Sequence, residues 1–165
     1  MVKEFERDLA IGKEAEEIVM DVVSALRSDL TLVDISGDFR YYHTGDIAAI
    51  DKKNNKVYFI EVKNDSRIAD TGNVLCEEEV YYKKNDYYGK GNMYSNADVF
   101  AIVSKQKKKI YFIDFKVLKK NYTKGTYKVI EHPAQDTHCF LCDLGRIKQW
   151  GGLIDEINYG EVQVA

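Results

Sequence analysis

Three ionisable residues interrupt the hydrophobic pattern of the chain at a defined spacing. Asp46 is followed, after fourteen intervening residues, by the stretch Glu61-Val62-Lys63. Side chains two apart in a strand share a face, so Glu61 and Lys63 would point the same way while Val62 points to the other face. Two carboxylates and an ammonium on one face can hold a divalent cation and assist the hydrolysis of a phosphodiester.

Each of these residues has an expected role in such a site. Asp46 and Glu61 supply the carboxylate oxygens that Mg²⁺ or Mn²⁺ prefers, and the Val62 carbonyl is a candidate third oxygen. Lys63 would orient the attacking water or stabilise the developing negative charge. The competing interpretation is a solvated cross-strand charge pair, which contributes only about 0–1 kcal/mol to stability.

Whether Asp46 reaches the shared face depends on the turn of the hairpin between it and Glu61. The Lys-Lys-Asn-Asn stretch at 52–55 is turn material, because Asn tolerates the left-handed conformation of tight hairpins. A two-residue turn sets Asp46 opposite Lys63, and a four-residue turn sets it opposite Glu61. A three-residue turn would put Asp46 on the wrong face. The first two registers both predict an assembled site.

The order of these residues resembles the PD-(D/E)XK nuclease superfamily, in which an Asp precedes a hairpin and a Glu-X-Lys ends the next strand. Thr-Gly stands before Asp46 where the superfamily pattern has Pro. The resemblance implies a restriction-endonuclease-like fold with Asp46, Glu61 and Lys63 as catalytic residues. It also implies an extra acidic ligand from the first helix, which we assign to Glu16.

A second stretch resembles a phage-type branch of that superfamily. It is the segment Thr-Gly-Asn-Val-Leu-Cys-Glu at 71–77, followed by Ala-Asp at 97–98 before an apolar strand, and the whole resemblance spans residues 9–115. It implies that Glu77 lies near the metal or holds Lys63. The residues alone favour a simpler interpretation, an exposed run of three glutamates on a strand.

The elements that must position these residues follow from hydrophobic periodicity. Apolar residues at helical spacing predict a helix over 4–27 with Glu16 on the flank of its apolar stripe. A loop is predicted over 85–96, a short helix over 115–122, and a closing helix over 144–157 with a break at Gly151-Gly152. Strands are predicted over 30–42, 45–51, 56–63, 73–82, 99–103, 110–113, 126–131 and 138–143. Together they predict one α/β domain over 1–165, with a mixed central β-sheet flanked by helices.

Charge is unevenly distributed along the chain. The 165 residues carry 24 Lys and Arg against 27 Asp and Glu, a net charge of −3 that argues against a strongly basic nucleic-acid binder. However, residues 1–46 hold 11 acids against five Lys and Arg, whereas residues 101–128 hold nine lysines against one acid. The split predicts a face for a polyanion such as DNA, or alternatively a solvated, lysine-rich edge.

Tyrosines and lysines interleave in the segment 81–94. Aromatic faces stack on unpaired bases and lysines contact phosphates, while the alternative is a loop packed on the sheet or across a dimer interface. We expect DNA-backbone contacts from the lysines of 105–109 and 116–128 as well. The residues predicted to bind substrate are Lys83, Lys84, Tyr87, Lys107 and Lys109.

Cysteine content and hydropathy indicate the cellular compartment of the protein. Three cysteines fit a reducing compartment better than a disulfide framework. The Cys-X-X-Cys at 139–142 has His132 and His138 nearby, but it lies in a predicted strand, so buried thiols are favoured over a zinc site. No apolar run approaches the ~18 residues of a membrane span. The chain is therefore predicted to be cytoplasmic, with no membrane partner.

These observations predict a Mg²⁺- or Mn²⁺-dependent nuclease that acts on DNA. A homodimer is compatible with this prediction, because cleavage of a duplex needs two sites. The alternative is a non-catalytic nucleic-acid-binding or assembly protein that retains the same fold. A scaffold whose tyrosine-rich loop makes an interface is a third interpretation.

Overall fold

Strands and helices alternate along the computed structural model, which describes residues 2–82, 86–122, 128–132 and 137–163. The helices are α1 (Val2–Leu26), α2 (Ile68–Thr71), α3 (Phe115–Tyr122) and α4 (Leu144–Gln149). The strands are β1 (Leu30–Asp34), β2 (Ile47–Asp51), β3 (Lys56–Asn64), β4 (Asn73–Tyr82), β5 (Tyr87–Lys90), β6 (Val99–Ser104), β7 (Lys109–Asp114), β8 (Lys128–His132), β9 (Thr137–Asp143) and β10 (Leu153–Asn158). Short 3₁₀ helices lie at Phe39–Tyr41, Asn92–Tyr94 and Tyr159–Glu161.

A mixed six-stranded sheet forms the centre of the fold. Its strand order is β1-β2-β3-β6-β7-β10, and β3 and β6 are its parallel pair, with Ile60 beside Val99. The apolar stripe of α1, including Ala15, Val19 and Val22, is buried against one face. The α/β class, the mixed central sheet and the long first helix are therefore as predicted.

The register of the β2–β3 hairpin selects one of the two predicted alternatives. Asp51 pairs with Lys56 and Ile47 pairs with Ile60, so the turn spans the four residues between β2 and β3. Asn55 adopts a left-handed φ of +52° in that turn, as the sequence predicts for Asn. Extending this register by one residue sets Asp46 against Glu61.

A second sheet covers the other face of the central sheet, where only helices were predicted. Its order is β5-β4-β9-β8 and all its pairs are antiparallel. With α3 and α4 it buries a second core that contains Phe100, Phe115, Phe140 and Ile147. β4 and β9 pair through residues distant in sequence, with Asn73 opposite Asp143, so local patterns predict the two strands but not their association.

The predicted loop over 85–96 is wrong in its first half. β5 occupies Tyr87–Lys90 and pairs with β4, with Tyr88 opposite Tyr81. This strand has exposed tyrosines and a buried Gly89 in place of alternating apolar residues, so its sequence carries no strand periodicity.

Two other boundaries differ from the predictions. The predicted helix over 144–157 ends at Gln149, because Gly151 turns the chain at φ +72° and β10 then pairs with β7. The strand predicted over 30–42 ends at Asp34, and Asp38 then caps a 3₁₀ helix by accepting a hydrogen bond from the Arg40 N–H. Within the described residues, no helix combines the length and apolar character that a membrane crossing requires.

Candidate active site

Asp46 and Glu61 meet at the start of the β2–β3 hairpin. The Asp46 N–H donates to the Ile60 carbonyl at 2.8 Å, and the Asp46 Oδ2 accepts from the Val62 N–H at 2.8 Å. Gly45 permits this close approach, because it has a φ of +136° and an added Cβ would lie 2.9 Å from the Ile60 carbonyl oxygen. The backbone of β3 thus fixes the Asp46 carboxylate beside Glu61.

The two carboxyl groups oppose each other's ionisation. Burial raises the pKa of Asp46 to about 6, although the hydrogen bond from Val62 N–H lowers it; the charge of Glu16 raises it further. Burial and the charge of Asp46 raise the pKa of Glu61 to about 7, against the Ser95 hydrogen bond that lowers it. Such a pair is stabilised by either a shared proton or a bound cation.

Glu16 is held in a polar network on the α1 side of the site. Its Oε2 accepts from the Ser36 hydroxyl at 2.9 Å and from the Lys13 ammonium at 2.9 Å. The same ammonium lies 3.0 Å from Asp34 Oδ2. Glu16 therefore acts on Asp46 through its charge while its own carboxylate is paired with Lys13.

Lys63 lies on the same face as Glu61, turned towards the second sheet. Its ammonium is 2.5 Å from Glu77 Oε2 on β4. The Glu77 N–H donates to the Asn92 side-chain oxygen at 3.0 Å, and the Asn92 amide nitrogen lies 3.4 Å from Glu77 Oε2. Glu77 is thus not an exposed charge, and it holds Lys63 as the resemblance implied.

Sequence reasoning missed Ser95 and misjudged Lys119. Ser95 is buried, and its side chain lowers the pKa of Glu61. The Lys119 ammonium donates to the Ser95 carbonyl and lies 4.2 Å from the Phe115 ring centroid, and burial lowers the pKa of Lys119. Lys119 was expected among lysines at the DNA backbone. Its position four residues after Phe115, on the buried side of α3, is the signal that could have separated it from them.

These groups face a cavity of about 340 Å³. Asp46, Glu61, Lys63 and Glu77 line it, and loop residues form its walls. These loop residues come from two segments: Tyr41, Tyr42 and His43 from the first, and Lys90, Gly91, Asn92 and Ser95 from the second. A larger, mostly apolar cavity of about 550 Å³ lies between α1 and the strands β2, β3 and β10, and it contains none of the predicted site residues.

The donor set of the site fits a weakly held, hydrated cation better than a closed metal cage. Among the residues that the structure describes, no group of three or more His, Cys, Asp and Glu side chains is arranged to hold a metal ion. Two carboxylates are enough for Mg²⁺, which keeps several waters. Asp46 and Glu61 could supply them, whereas Val62 contributes its N–H to Asp46.

The three predicted substrate-binding residues that the structure describes lie outside the cavity. Lys107 and Lys109 have their ammonium groups 3.0 Å from Asp70 and 2.5 Å from Glu156, respectively, so carboxylates compensate both charges. Tyr87 is exposed on β5. Lys83 and Lys84 fall outside the described residues.

The cysteines behave as buried thiols. Cys76, Cys139 and Cys142 are free and buried in the second sheet. The His138 ring nitrogen lies 2.8 Å from Glu79 Oε2, and its ring stacks on Tyr88 at 5.0 Å between centroids.

Comparison with known proteins adds no relative to this description. The chain matches no protein-family model, and no curated protein matches its sequence.

Proposed function

We propose that the protein is a metal-dependent nuclease of the PD-(D/E)XK type that hydrolyses phosphodiester bonds in DNA. One observation carries the proposal: Asp46 and Glu61 lie opposite each other across a hairpin, both have raised pKa values, and Lys63 lies on the same face. Buried like charges destabilise a fold, so their retention in a cavity favours a functional role.

Asp46 and Glu61 would hold Mg²⁺ or Mn²⁺ in this site. The ion, when bound, supplies Lewis acidity and lowers the pKa of a bound water. The chain's own contribution is positioning. The Val62 N–H orients the Asp46 carboxylate, and Glu77 fixes the Lys63 ammonium.

Lys63 is the residue that would act on the reacting phosphate. Its ammonium borders the cavity and can stabilise negative charge that develops on a phosphate oxygen or orient the attacking water. Since Glu77 and Asn92 hold Lys63 before any substrate binds, little reorganisation would be needed at the moment of reaction.

The restriction-endonuclease-like assignment is part of the same proposal. It is supported by the order of elements: a long helix packed on a mixed sheet, then Asp46, a hairpin, and Glu61 and Lys63 at the end of the next strand. DNA is proposed as the substrate on the resemblance and on the lysine-rich part of the chain.

One observation favours the alternative, a non-catalytic nucleic-acid-binding or assembly protein. Lys13 neutralises Glu16, the expected extra ligand. A site reduced to two acidic residues would be a weaker metal centre, and the fold could then serve binding alone.

Calorimetric titration with Mn²⁺ separates the two functions. Wild type is compared with Asp46→Asn, and with Asp21→Asn as a matched control on an exposed part of α1. Each protein is also incubated with Mn²⁺ and single-stranded, duplex and branched DNA. The proposal expects binding and cleavage in wild type and Asp21→Asn and loss of both in Asp46→Asn. Negligible binding in all three would overturn it in favour of the alternative.

A further inference from the structure

Large aromatic side chains stand in solvent beside the candidate active site. Phe39 is 88% exposed and Tyr42 is 73% exposed. They belong to the segment 39–43, Phe-Arg-Tyr-Tyr-His, which we call the aromatic rim. Exposed aromatic surface of this kind commonly marks a binding site, because a ligand that covers it removes apolar surface from water, which is favourable.

Hydrogen bonds hold the aromatic rim in place despite its exposure. Asp38 caps the 3₁₀ helix and its carboxylate is paired with the Arg40 guanidinium. The Thr44 N–H donates to the Tyr41 carbonyl at 2.7 Å. These bonds fix the backbone that carries Phe39.

The rim is continuous with the catalytic residues. Tyr41, Tyr42 and His43 line the same cavity as Asp46, and the chain runs directly from the rim through Gly45 to Asp46. The His43 carbonyl accepts from the Asn96 N–H at 2.6 Å, which ties the rim to the loop of Ser95.

The cavity that the rim borders also contains a cation. Lys90 lines it, and the Lys90 ammonium lies 5.2 Å from the centroid of the half-exposed Tyr94 ring. A ligand in the cavity would therefore meet the tyrosines of the rim, an ammonium and the carboxylates of the site. Polymers that offer flat faces and phosphates together are nucleic acids.

Geometry distinguishes between paired and unpaired bases as the ligand. A base inside a duplex has both faces covered by its neighbours, whereas an unpaired or terminal base can stack on a protein ring. Stacking of this type contributes about 1–3 kcal/mol per base. We propose that the aromatic rim is a stacking platform for an unpaired nucleotide next to the cleavage site, so the protein acts on substrates with a single-stranded segment there. This inference rests on the proposed nuclease function and specifies its substrate class.

Binding measured without metal tests the platform separately from catalysis. Fluorescence anisotropy in EDTA would compare a labelled single strand of about 12 nucleotides with the matching duplex, a length that suits one binding groove. Phe39→Ala and Tyr42→Ala are expected to weaken single-strand binding by about 5- to 100-fold each, as one lost base stack predicts. Duplex binding should change less than about twofold, because phosphate contacts supply it.

Three further variants sharpen the test. Phe39→Trp should retain single-strand affinity, because it keeps an aromatic face, whereas Phe39→Leu should lose it although it keeps an apolar surface. Ile154→Ala removes another exposed apolar side chain, on β10, and should bind as wild type. Full affinity of Phe39→Leu would overturn stacking as the role of Phe39, because leucine has no aromatic face.

The failures of the two proposals are distinguishable. If Phe39→Ala and Tyr42→Ala bind the single strand as tightly as wild type, the platform proposal is overturned. The nuclease proposal then still stands if Mn²⁺-dependent cleavage is observed. Binding that depends on Phe39 and Tyr42 supports the platform even where no cleavage is seen, and the nuclease proposal then fails. If the wild-type protein does not bind the single strand, the platform proposal is overturned.

Discussion

The Lys63 ammonium lies 2.5 Å from the Glu77 carboxylate, and this ion pair joins the two sheets at the candidate active site. Lys63 belongs to β3 of the central sheet and Glu77 belongs to β4 of the second sheet. Their side chains are only 26% and 18% exposed, so solvent and salt screen the pair less than a surface ion pair. The position of the second sheet therefore determines the position of Lys63.

Glu77→Gln should impair the site without removing a predicted metal ligand. The neutral amide keeps the shape of Glu77 but no longer fixes the Lys63 ammonium, so we expect DNA cleavage to fall about tenfold or more. The free energy of unfolding should fall by about 1–2 kcal/mol, since a half-buried charge loses its partner. Kinetics and urea denaturation measure the two effects.

Glu78→Gln is the matched control, because Glu78 is the neighbouring glutamate on β4 and does not line the cavity of the candidate active site. We expect Mn²⁺ affinity to be unchanged in both variants. Wild-type cleavage by Glu77→Gln would contradict the view that the second sheet holds Lys63 for the reaction.

The stability of the metal-free protein should decrease as pH rises from about 4 to about 7. Burial raises the pKa of Asp46 from 3.8 to about 6, and burial and Asp46 raise that of Glu61 from 4.5 to about 7. In that interval the folded state binds more protons than the unfolded state, so unfolding releases protons and becomes easier as pH increases. The stabilisation that the two protonated carboxyl groups provide is complete at pH values below their pKa values in the unfolded state. It is lost at pH values above their pKa values in the folded state.

Urea denaturation in EDTA at a series of pH values measures this dependence. We expect a decrease on the order of 1–2 kcal/mol from the coupled pair, after allowance for solvent at half-buried groups. Asp46→Asn should flatten the profile, because it removes one titrating group and the charge that raises the pKa of Glu61. Saturating Mn²⁺ should have the opposite effect on wild type and increase stability near pH 7 and above. If the stability of Asp46→Asn fell with pH as steeply as that of wild type, the result would contradict an electrostatic interaction between Asp46 and Glu61.

The sequence predicted the juxtaposition of Asp46, Glu61 and Lys63 better than the surroundings of these residues. Asp46, Glu61 and Lys63 could be assembled from local rules alone, because strand alternation and one short hairpin relate them. The register stayed open between two turn lengths, since Lys-Lys-Asn-Asn accommodates either. Only the observed pairing of Asp51 with Lys56 decides it.

The contacts that sequence reasoning could not reach are non-local. Lys119 lies 24 residues from the Ser95 carbonyl it binds, and Glu77 lies 14 residues from Lys63 on a different sheet. Such pairs depend on how the sheets pack, which no local periodicity encodes. The exposure of Phe39 is likewise set by tertiary packing rather than by residue type.

Gly91 controls the approach of the loop that supports Glu77. A Cβ at Gly91 would lie 2.2 Å from the Glu77 carbonyl oxygen and 2.5 Å from its carbonyl carbon, distances that backbone atoms cannot relieve without moving. The Gly91 N–H also donates to the Glu78 carbonyl at 2.7 Å. Gly91→Ala must therefore displace Asn92, which binds Glu77, from its position against β4.

We expect Gly91→Ala to lower the free energy of unfolding by about 2 kcal/mol or more, because overpacking forces the backbone to shift. Gly12→Ala on α1 is the matched control: nothing lies within 4 Å of an added Cβ there, and Ala in a helix is favoured over Gly by about 0.5–1 kcal/mol. Urea denaturation should therefore move the two variants in opposite directions from wild type. If Gly91→Ala were as stable as wild type, the tight contact between this loop and β4 would be absent in solution, and Lys63 would have to be positioned without it.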